Sequence, residues 1–514
     1  MNLHKIAQPF IAKFPGDVSY NPYQRQTPNL LYALVKPVGF ANSELIYFNE
    51  KLSIEIGLGK IENQQDIDFL NSKNIPDGFK TYSTVYAGHQ FGNWAGQLGD
   101  GRAIFAGEII NEKNKKTELQ WKGAGATPYS RSADGRAVLR STLREFLMSE
   151  AMYFLGVPTT RALSISFSGE DVLRDVLYNG NPQLEKGAVM MRTAESFLRF
   201  GHFECLSAQK KIDLLKDLAD DTIESYFPEV KSEGTQKYLD WFRAISERTA
   251  KLMAEWFRVG FVHGVMNTDN MSVLGLTIDY GPFAMLEEYD LNFTPNTTDL
   301  PGRRYAFGAQ GKISQWNLWQ LANAVFPLIN DAEALQGVLA DYENIFWKYH
   351  DEMLCRKFGF DVLKEDDTDF FVSWQKLMQN LQIDHTFFFT ELEVWRESDF
   401  QKFYIEEISY KEISEEEKIA LQDFLNQYKK RLMFNQISVQ KSLELMKENN
   451  PKFILRNYLL YECIEEMNVG KKDLFYKLLE ALRNPYQNIS PELNKIRPAK
   501  YNDIAGCSML SCSS

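Results

Sequence analysis

The chain has 514 residues, a formal net charge of -12, and 44% hydrophobic and 13% aromatic content. That length exceeds one average domain, and the apolar fraction is ample for a large buried core. The acidic balance argues against a general nucleic-acid binder, although a local basic cleft is compatible with it, and no apolar run approaches the ~20 residues of a membrane span.

Residues 1–17 carry only Lys5 and Lys13 as strong bases and have no compact apolar stretch. They do not read as a signal or transit peptide, which places the protein in the cytoplasm. Residues 1–80, with prolines at 9, 15, 22, 28 and 37, read as an irregular extension. Glycines then cluster from Tyr82 to Gly107. Strands are predicted over 102–110 and 117–121. Apolar residues at helical spacing predict a helix over 137–155. Further strands are predicted over 163–167 and 187–192. Beyond residue 205 the pattern turns to long helices. Residues 236–259 set Tyr238, Phe242, Ile245, Leu252 and Trp256 on one face. Residues 313–347 and 405–447 interleave acidic and basic side chains as solvated helices do. The segment 491–498, bounded by prolines, marks a loop before the tail. The five cysteines include no close zinc-type pair, and the odd count fits a reducing compartment. Cys507 and Cys512 lie in a small, polar tail expected to be flexible.

Several segments carry residues suited to phosphate chemistry. The run 91–102 holds Gly99, Gly101 and Arg102, and glycines let backbone N–H groups approach phosphates. It lacks the G-K-[ST] ending of a P-loop. Asp100 is the odd member, because a carboxylate repels phosphates unless it is turned away. Lys122 ends a predicted strand. Glu145 on the next helix is its natural ion-pair partner, with Glu150 as the alternative. A second glycine-rich loop, 122–136, contains Asp134 and Gly135. Arg192 and Arg199 suit bidentate phosphate contacts, although their spacing also fits surface charges.

Residues 263–281 tell most. A kinase-type catalytic loop has an Asp after His-Arg or His-Gly, an Asn five residues later, and then Asp-Phe-Gly. Here His263-Gly264 is followed by Val265, Asn270 keeps the Asn slot, and Asp279-Tyr280-Gly281 stands for the metal-binding triplet. The missing carboxylate has a neighbour of Asn270 as its substitute, Asp269. The order strand, glycine loop, strand, helix, strands is that of a kinase small lobe.

Together with Y-A-G-H-Q-F-G (86–92), S-A-D-G-R-A-V-L-R (132–140), R-T-A-E-S-F-L-R-F-G (192–201), R-Y-A-F-G-A-Q (304–310) and Q-W-N-L (315–318), these motifs resemble the selenoprotein O / YdiU family of kinase-like protein nucleotidyltransferases, over nearly the whole chain. The resemblance implies an α+β, protein-kinase-like two-lobed fold, with a mixed N-terminal lobe, a largely helical C-terminal lobe and terminal extensions. Its units would be an extension over 1–80, a small lobe over 81–205, a helical lobe over 206–400 and a helical extension over 401–514. It implies transfer of AMP from ATP to Ser, Thr or Tyr hydroxyls of target proteins. Some bacterial members use UTP with manganese. Gly99, Gly101, Arg102, Lys122, Asp134, Gly135, Arg192, Arg199 and Asp279 would contact the nucleotide. Asp269 would accept the proton, Asn270 and Asp279 would hold Mg2+ or Mn2+, and Glu145 would pair Lys122. Cys512 fills the position of the family's selenocysteine or cysteine, which implies redox regulation with Cys507 as the nearest partner. The expected partners are nucleotide and target proteins, with no nucleic acid, no membrane and a monomeric state. Two other readings stay open: an inactive nucleotide-binding scaffold, favoured by Val265, and a phosphotransferase using Asp269 as a displaced base.

Overall fold

The computed structural model describes residues 1–176 and 180–511, so Cys512 lies outside the described residues. The architecture is α+β, with strands concentrated before Ala194 and helices after it. In chain order the strands of the first part are β1 (Gly16–Asp17), β2 (Tyr32–Leu34), β3 (Glu44–Phe48), β4 (Tyr82–Thr84), β5 (Ala87–Gln90), β6 (Asn93–Gln97), β7 (Ala103–Ile110), β8 (Lys116–Lys122), β9 (Ala137–Val138), β10 (Arg161–Arg174) and β11 (Gln183–Ala194). Nine of them form one mixed sheet in the order β1-β2-β4-β7-β8-β11-β10-β3, with β9 beside β11. The pair β5–β6 is a separate hairpin. Residues 1–80, read from their prolines as an irregular wrap, in fact supply β1, β2 and β3 of the sheet. Prolines in the connections hid strands of two to five residues, too short for a periodic signal.

β8 lies between β7 and β11, and its end from Leu119 to Lys122 is buried. Its register sets Gln120 opposite Arg192 and Lys122 opposite Met190. Side chains alternate along a strand, so Gln120, Lys122 and Arg192 share one face. The helix Leu139–Phe154 packs on β10 and β11. Leu143, Phe146, Leu147 and Met148 are buried there, together with Arg144, Glu145 and Glu150.

The helix Gly234–Val259 buries Tyr238, Phe242, Ile245, Leu252 and Trp256 and stops at Gly260, whose φ is +76°. The expected helix over 313–347 is two helices. Asn330 adopts φ +53° and Asp331 caps the next helix by accepting from Ala334 N–H at 2.9 Å. Asn tolerates the left-handed conformation, and Asp satisfies the free N–H groups of a new first turn. The expected helix over 405–447 is likewise divided. It starts at Glu415 behind a Ser414/Glu417 capping box, ends at Leu432, and resumes at Val439 after the Ser438 cap. Among the described residues, no helix is long and apolar enough to cross a membrane.

The C-terminal helices Asn457–Asn468 and Asp473–Arg483 share a core with the Leu139–Phe154 helix. Phe475 packs against Tyr47 and Phe146 at 5.8 and 6.1 Å between ring centroids. The tail is not loose as far as Ser511. Cys507 and Leu510 are fully buried. Asn457 Nδ2 donates to the Cys507 carbonyl at 3.1 Å, and Thr297 N–H donates to the Leu510 carbonyl at 2.8 Å. Composition alone made this segment look solvent-exposed; its three apolar anchors, Ile504, Met509 and Leu510, are spaced among small residues.

Candidate active site

The face shared by Lys122 and Arg192 receives Glu145 from the helix Leu139–Phe154. Lys122 Nζ lies 2.5 Å from Glu145 Oε2, and Arg192 Nη1 lies 2.8 Å from Glu145 Oε1. Glu150 is committed elsewhere, to Arg161 at 2.6 Å. Asp279 closes the cluster from the other side. Its Oδ1 is 3.2 Å from Lys122 Nζ and 2.7 Å from Arg192 Nη1, and its Oδ2 accepts from Arg199 Nη1. Asp279 has φ +56°, a left-handed conformation that a non-glycine residue holds only when its surroundings enforce it. Burial would raise its carboxyl, but Arg199, Lys122 and Arg192 outweigh that effect and hold it well below the usual range. Burial lowers the Lys122 ammonium, with Glu145 and Asp279 opposing.

Lys122, Arg192, Arg199 and Asp279 line a cavity of about 500 Å³. Its cationic members are Arg102, Lys122, Arg131, Arg136, Arg174, Arg192 and Arg199, against two acids, Asp100 and Asp279. Seven cations facing two acids make a strongly positive cleft inside a protein of net charge -12. A larger cavity of about 1490 Å³ lies beside residues 382–413 and 488–502. Its lining sets four cations, among them Lys452 and Arg497, against six glutamates, so charge favours the smaller cleft as an anion site.

The glycine loop enters the cleft between β6 and β7. Gly99 has φ +139°, and a Cβ there would lie 2.5 Å from the Tyr129 ring. Asp100 is turned inward, accepting from Thr84 N–H at 3.1 Å and Thr84 Oγ1 at 2.5 Å, with Arg199 at 3.8 Å. Arg102 lines the cavity and has no ion-pair partner among the described residues. Gly135 also lines it, but Asp134 does not. The Asp134 carboxylate is held by Arg174 at 2.7 Å and accepts from Arg136 N–H at 2.9 Å, which makes it a loop brace at this site. Arg131, Arg136 and Arg174 escaped the sequence reading. The first two sit in the polar run 122–136, where charge alone gave the only signal; Arg174 approaches from β10 through the sheet fold.

The loop after the short strand Phe261–Val262 carries Val265, Asp269 and Asn270. Val265 and Asn270 line the cavity, and Asn270 Nδ2 donates to the Val265 carbonyl at 2.9 Å. Asp269 is absent from the lining. Its carboxylate faces the β5–β6 hairpin, where Gln90 Nε2 donates to Oδ2 at 3.2 Å and Oδ1 is buried with no partner. Gly88 makes this approach possible, since a Cβ there would lie 2.9 Å from Oδ1. Burial pushes the Asp269 carboxyl up to about 6, with Gln90 and Arg199 opposing. The backbone is tied in by Arg199 Nη1, which donates to the Asp269 carbonyl at 2.8 Å.

The Asp279 carboxylate and the Asn270 amide offer oxygen ligands on one cavity wall. Among the described residues no group of three or more His, Cys, Asp or Glu side chains could hold a metal. A magnesium-type ion suits this pair, because it keeps waters and takes phosphate oxygens as its other ligands. Cys507 does not fit the expected redox role as it stands. It is fully buried, and burial pushes its thiol up to about 12, which suppresses the reactive thiolate.

This is an α+β protein with a cation-lined cleft suited to a polyanion. The family described as "Protein adenylyltransferase SelO" matches residues 16–483, and the chain belongs to that family. Proteins named "Protein nucleotidyltransferase YdiU" are similar over essentially their full length. That of Cytophaga hutchinsonii is 45% identical over 520 residues, covering 100% of both chains. That of Flavobacterium johnsoniae is 44% identical with 99% of each chain covered, and that of Azoarcus sp. is 42% identical with 98% of each covered. Membership and these relatives mark the chain as a protein nucleotidyltransferase.

Proposed function

We propose that the chain transfers AMP from ATP, or UMP from UTP, to Ser, Thr or Tyr hydroxyls of target proteins and releases pyrophosphate. We read the scaffold as kinase-like and two-lobed, with residues 81–205 as the small lobe and 206–400 as the helical lobe, working as a cytoplasmic monomer. One observation carries the reading: Lys122, Arg192 and Arg199 converge on the single carboxylate of Asp279. The network is balanced without a ligand, and each of these cations can exchange Asp279 for a phosphate oxygen. Asp279 and Asn270 would then hold Mg2+ or Mn2+, which supplies charge neutralisation at the phosphate oxygens when bound.

The acceptor oxygen attacks the α-phosphorus, the bond from that phosphorus to its leaving bridging oxygen breaks, and pyrophosphate departs. Arg102, Arg192 and Arg199 stabilise the charge that develops on it. The hydroxyl proton goes to Asp269. A carboxyl near 6 is largely ionised at neutral pH yet basic enough to take a proton. Val265 leaves no carboxylate at the ordinary kinase position, so Asp269 is the base this loop offers.

ATP labelled at the α or the γ phosphorus decides the matter. Protein label from the α position supports nucleotidyl transfer. Label from γ alone would make the chain a phosphotransferase, and label from neither would leave a nucleotide-binding scaffold.

A further inference from the structure

Two stretches of polar and aromatic residues, 87–92 and 304–316, take no part in the cation cluster, and in the fold they meet beside Asp269. Phe91 N–H donates to Asn267 Oδ1 at 3.2 Å and to the Tyr305 hydroxyl at 2.9 Å, and that hydroxyl donates to Asn267 Oδ1 at 2.6 Å. Next to this junction lies Arg304. Its guanidinium stands 4.5 Å from the centre of the Trp316 ring and lies against Gly92, where a Cβ would be 3.4 Å from Cζ. Its Nε and Nη2 are buried and have no hydrogen-bond acceptor. No carboxylate of the described residues forms an ion pair with it. Asp299, the acid of this segment, instead accepts the backbone N–H groups of Arg304 at 3.0 Å and Tyr305 at 2.8 Å. Two buried N–H groups without an acceptor are costly, and the cost falls when an anion answers them.

The neighbourhood is also built for contact. His89 packs between Trp94 and Trp316 at 5.0 and 5.5 Å between ring centroids. Trp94 is 45% exposed. Aromatic side chains and Arg are the residue types that anchor protein partners. The Asp269 carboxylate faces this hairpin side and not the nucleotide cavity.

We propose that Arg304 is a docking residue for the protein acceptor, taking a carboxylate of an Asp or Glu near the modified hydroxyl, with the Trp94 and Trp316 rings flanking the acceptor segment. The proposal rests on the nucleotidyl-transfer reading, because Asp269 marks where the acceptor oxygen must arrive. A guanidinium presents a planar fork that matches a carboxylate, whereas a hydroxyl alone gives it no counter-charge.

The test uses the full-length protein, α-labelled ATP and synthetic peptides with one Ser, Thr or Tyr flanked by Asp, Asn or Lys. The wild type is expected to label the Asp peptides roughly 10- to 100-fold faster than the Asn peptides, the worth of a charge-assisted hydrogen bond. R304Q should erase that ratio, R304K should keep part of it, and R304E should turn the preference toward Lys. Melting curves confirm that each variant is folded. A second arm measures binding of a dye-labelled Asp-containing peptide by fluorescence polarisation without nucleotide. If no α label reaches any protein or peptide, the transfer reading fails, yet loss of peptide binding in R304Q would still uphold the docking role. Equal labelling of Asp and Asn peptides by the wild type, a preference unmoved in R304E, or equal peptide binding by wild type and R304Q would overturn it.

Discussion

Two aspartates ten residues apart sit in opposite surroundings. Asp279 is ringed by Lys122, Arg192 and Arg199, which hold its carboxyl well below the usual range. Asp269 lies under a hairpin with one side-chain donor, Gln90, and burial lifts it to about 6. The same side chain is thus fixed as an anion in one place and left able to exchange a proton in the other. Carboxyls whose environments push them apart divide the work of charge and of proton transfer.

Removing the first aspartate should have the largest effect. Asp279→Ala is expected to abolish metal-dependent transfer, measured with α-labelled ATP. It also leaves Arg199 with Asp100, at 3.8 Å, as its only acid, while Glu145 still pairs Lys122 and Arg192, and losing one partner of such a network costs about 3–5 kcal/mol. The melting temperature of the unliganded variant should therefore drop, and a polyphosphate should restore part of it. Full activity in Asp279→Ala would remove the distinction between the two acids.

The second aspartate predicts a rate effect tied to pH. Asp269→Asn should slow transfer by roughly 10²–10⁴-fold, the range of a general base. Only the ionised form accepts a proton, so the wild-type rate should climb as pH rises through about 6. The variant should lack that limb; a limb that survives belongs to another group.

Stability should move the other way. An acid whose folded-state value is raised binds more protons folded than unfolded between about 4 and 6, so its contribution is present at low pH and lost as pH rises through 6. Asp269→Asn should accordingly gain stability at pH 8 relative to pH 5, by roughly 1–1.5 kcal/mol, since part of the linkage is already lost at pH 5. Equal melting shifts at both pH values would place the raised carboxyl elsewhere.

Gln90→Ala should give the smallest change. It removes the side-chain donor to the ionised Asp269, so the rising limb should shift to higher pH while the rate on the plateau changes little. A limb that stays in place would mean that Gln90 does not orient this carboxylate.

Much of the architecture was legible in local patterns. Strands β7 and β8 and the helices Leu139–Phe154 and Gly234–Val259 have long apolar periods, and their predicted limits fall within a few residues of the structure. The short strands β1 to β3 and the breaks at Asn330 and Leu432 were not legible, because pairing partners and caps decide them. The family resemblance implies a nucleotide contact for Asp134, and the fold adds what no local pattern shows, that Arg174, forty residues away, pairs with its carboxylate.

The sequence by itself marked the candidates: Lys122, Glu145, Asn270 and Asp279 by type and order, and Arg192 and Arg199 through the family resemblance that the longer motifs carry. Tertiary structure alone decided what each of them faces. Charge balance inside the cleft, the turn of Asp269 toward Gln90, the burial of Cys507 and the unanswered guanidinium of Arg304 all arise from contacts between segments far apart in the chain. Periodicity reports which side of an element is buried, but the dielectric and the charges around a single group depend on every element packed against it.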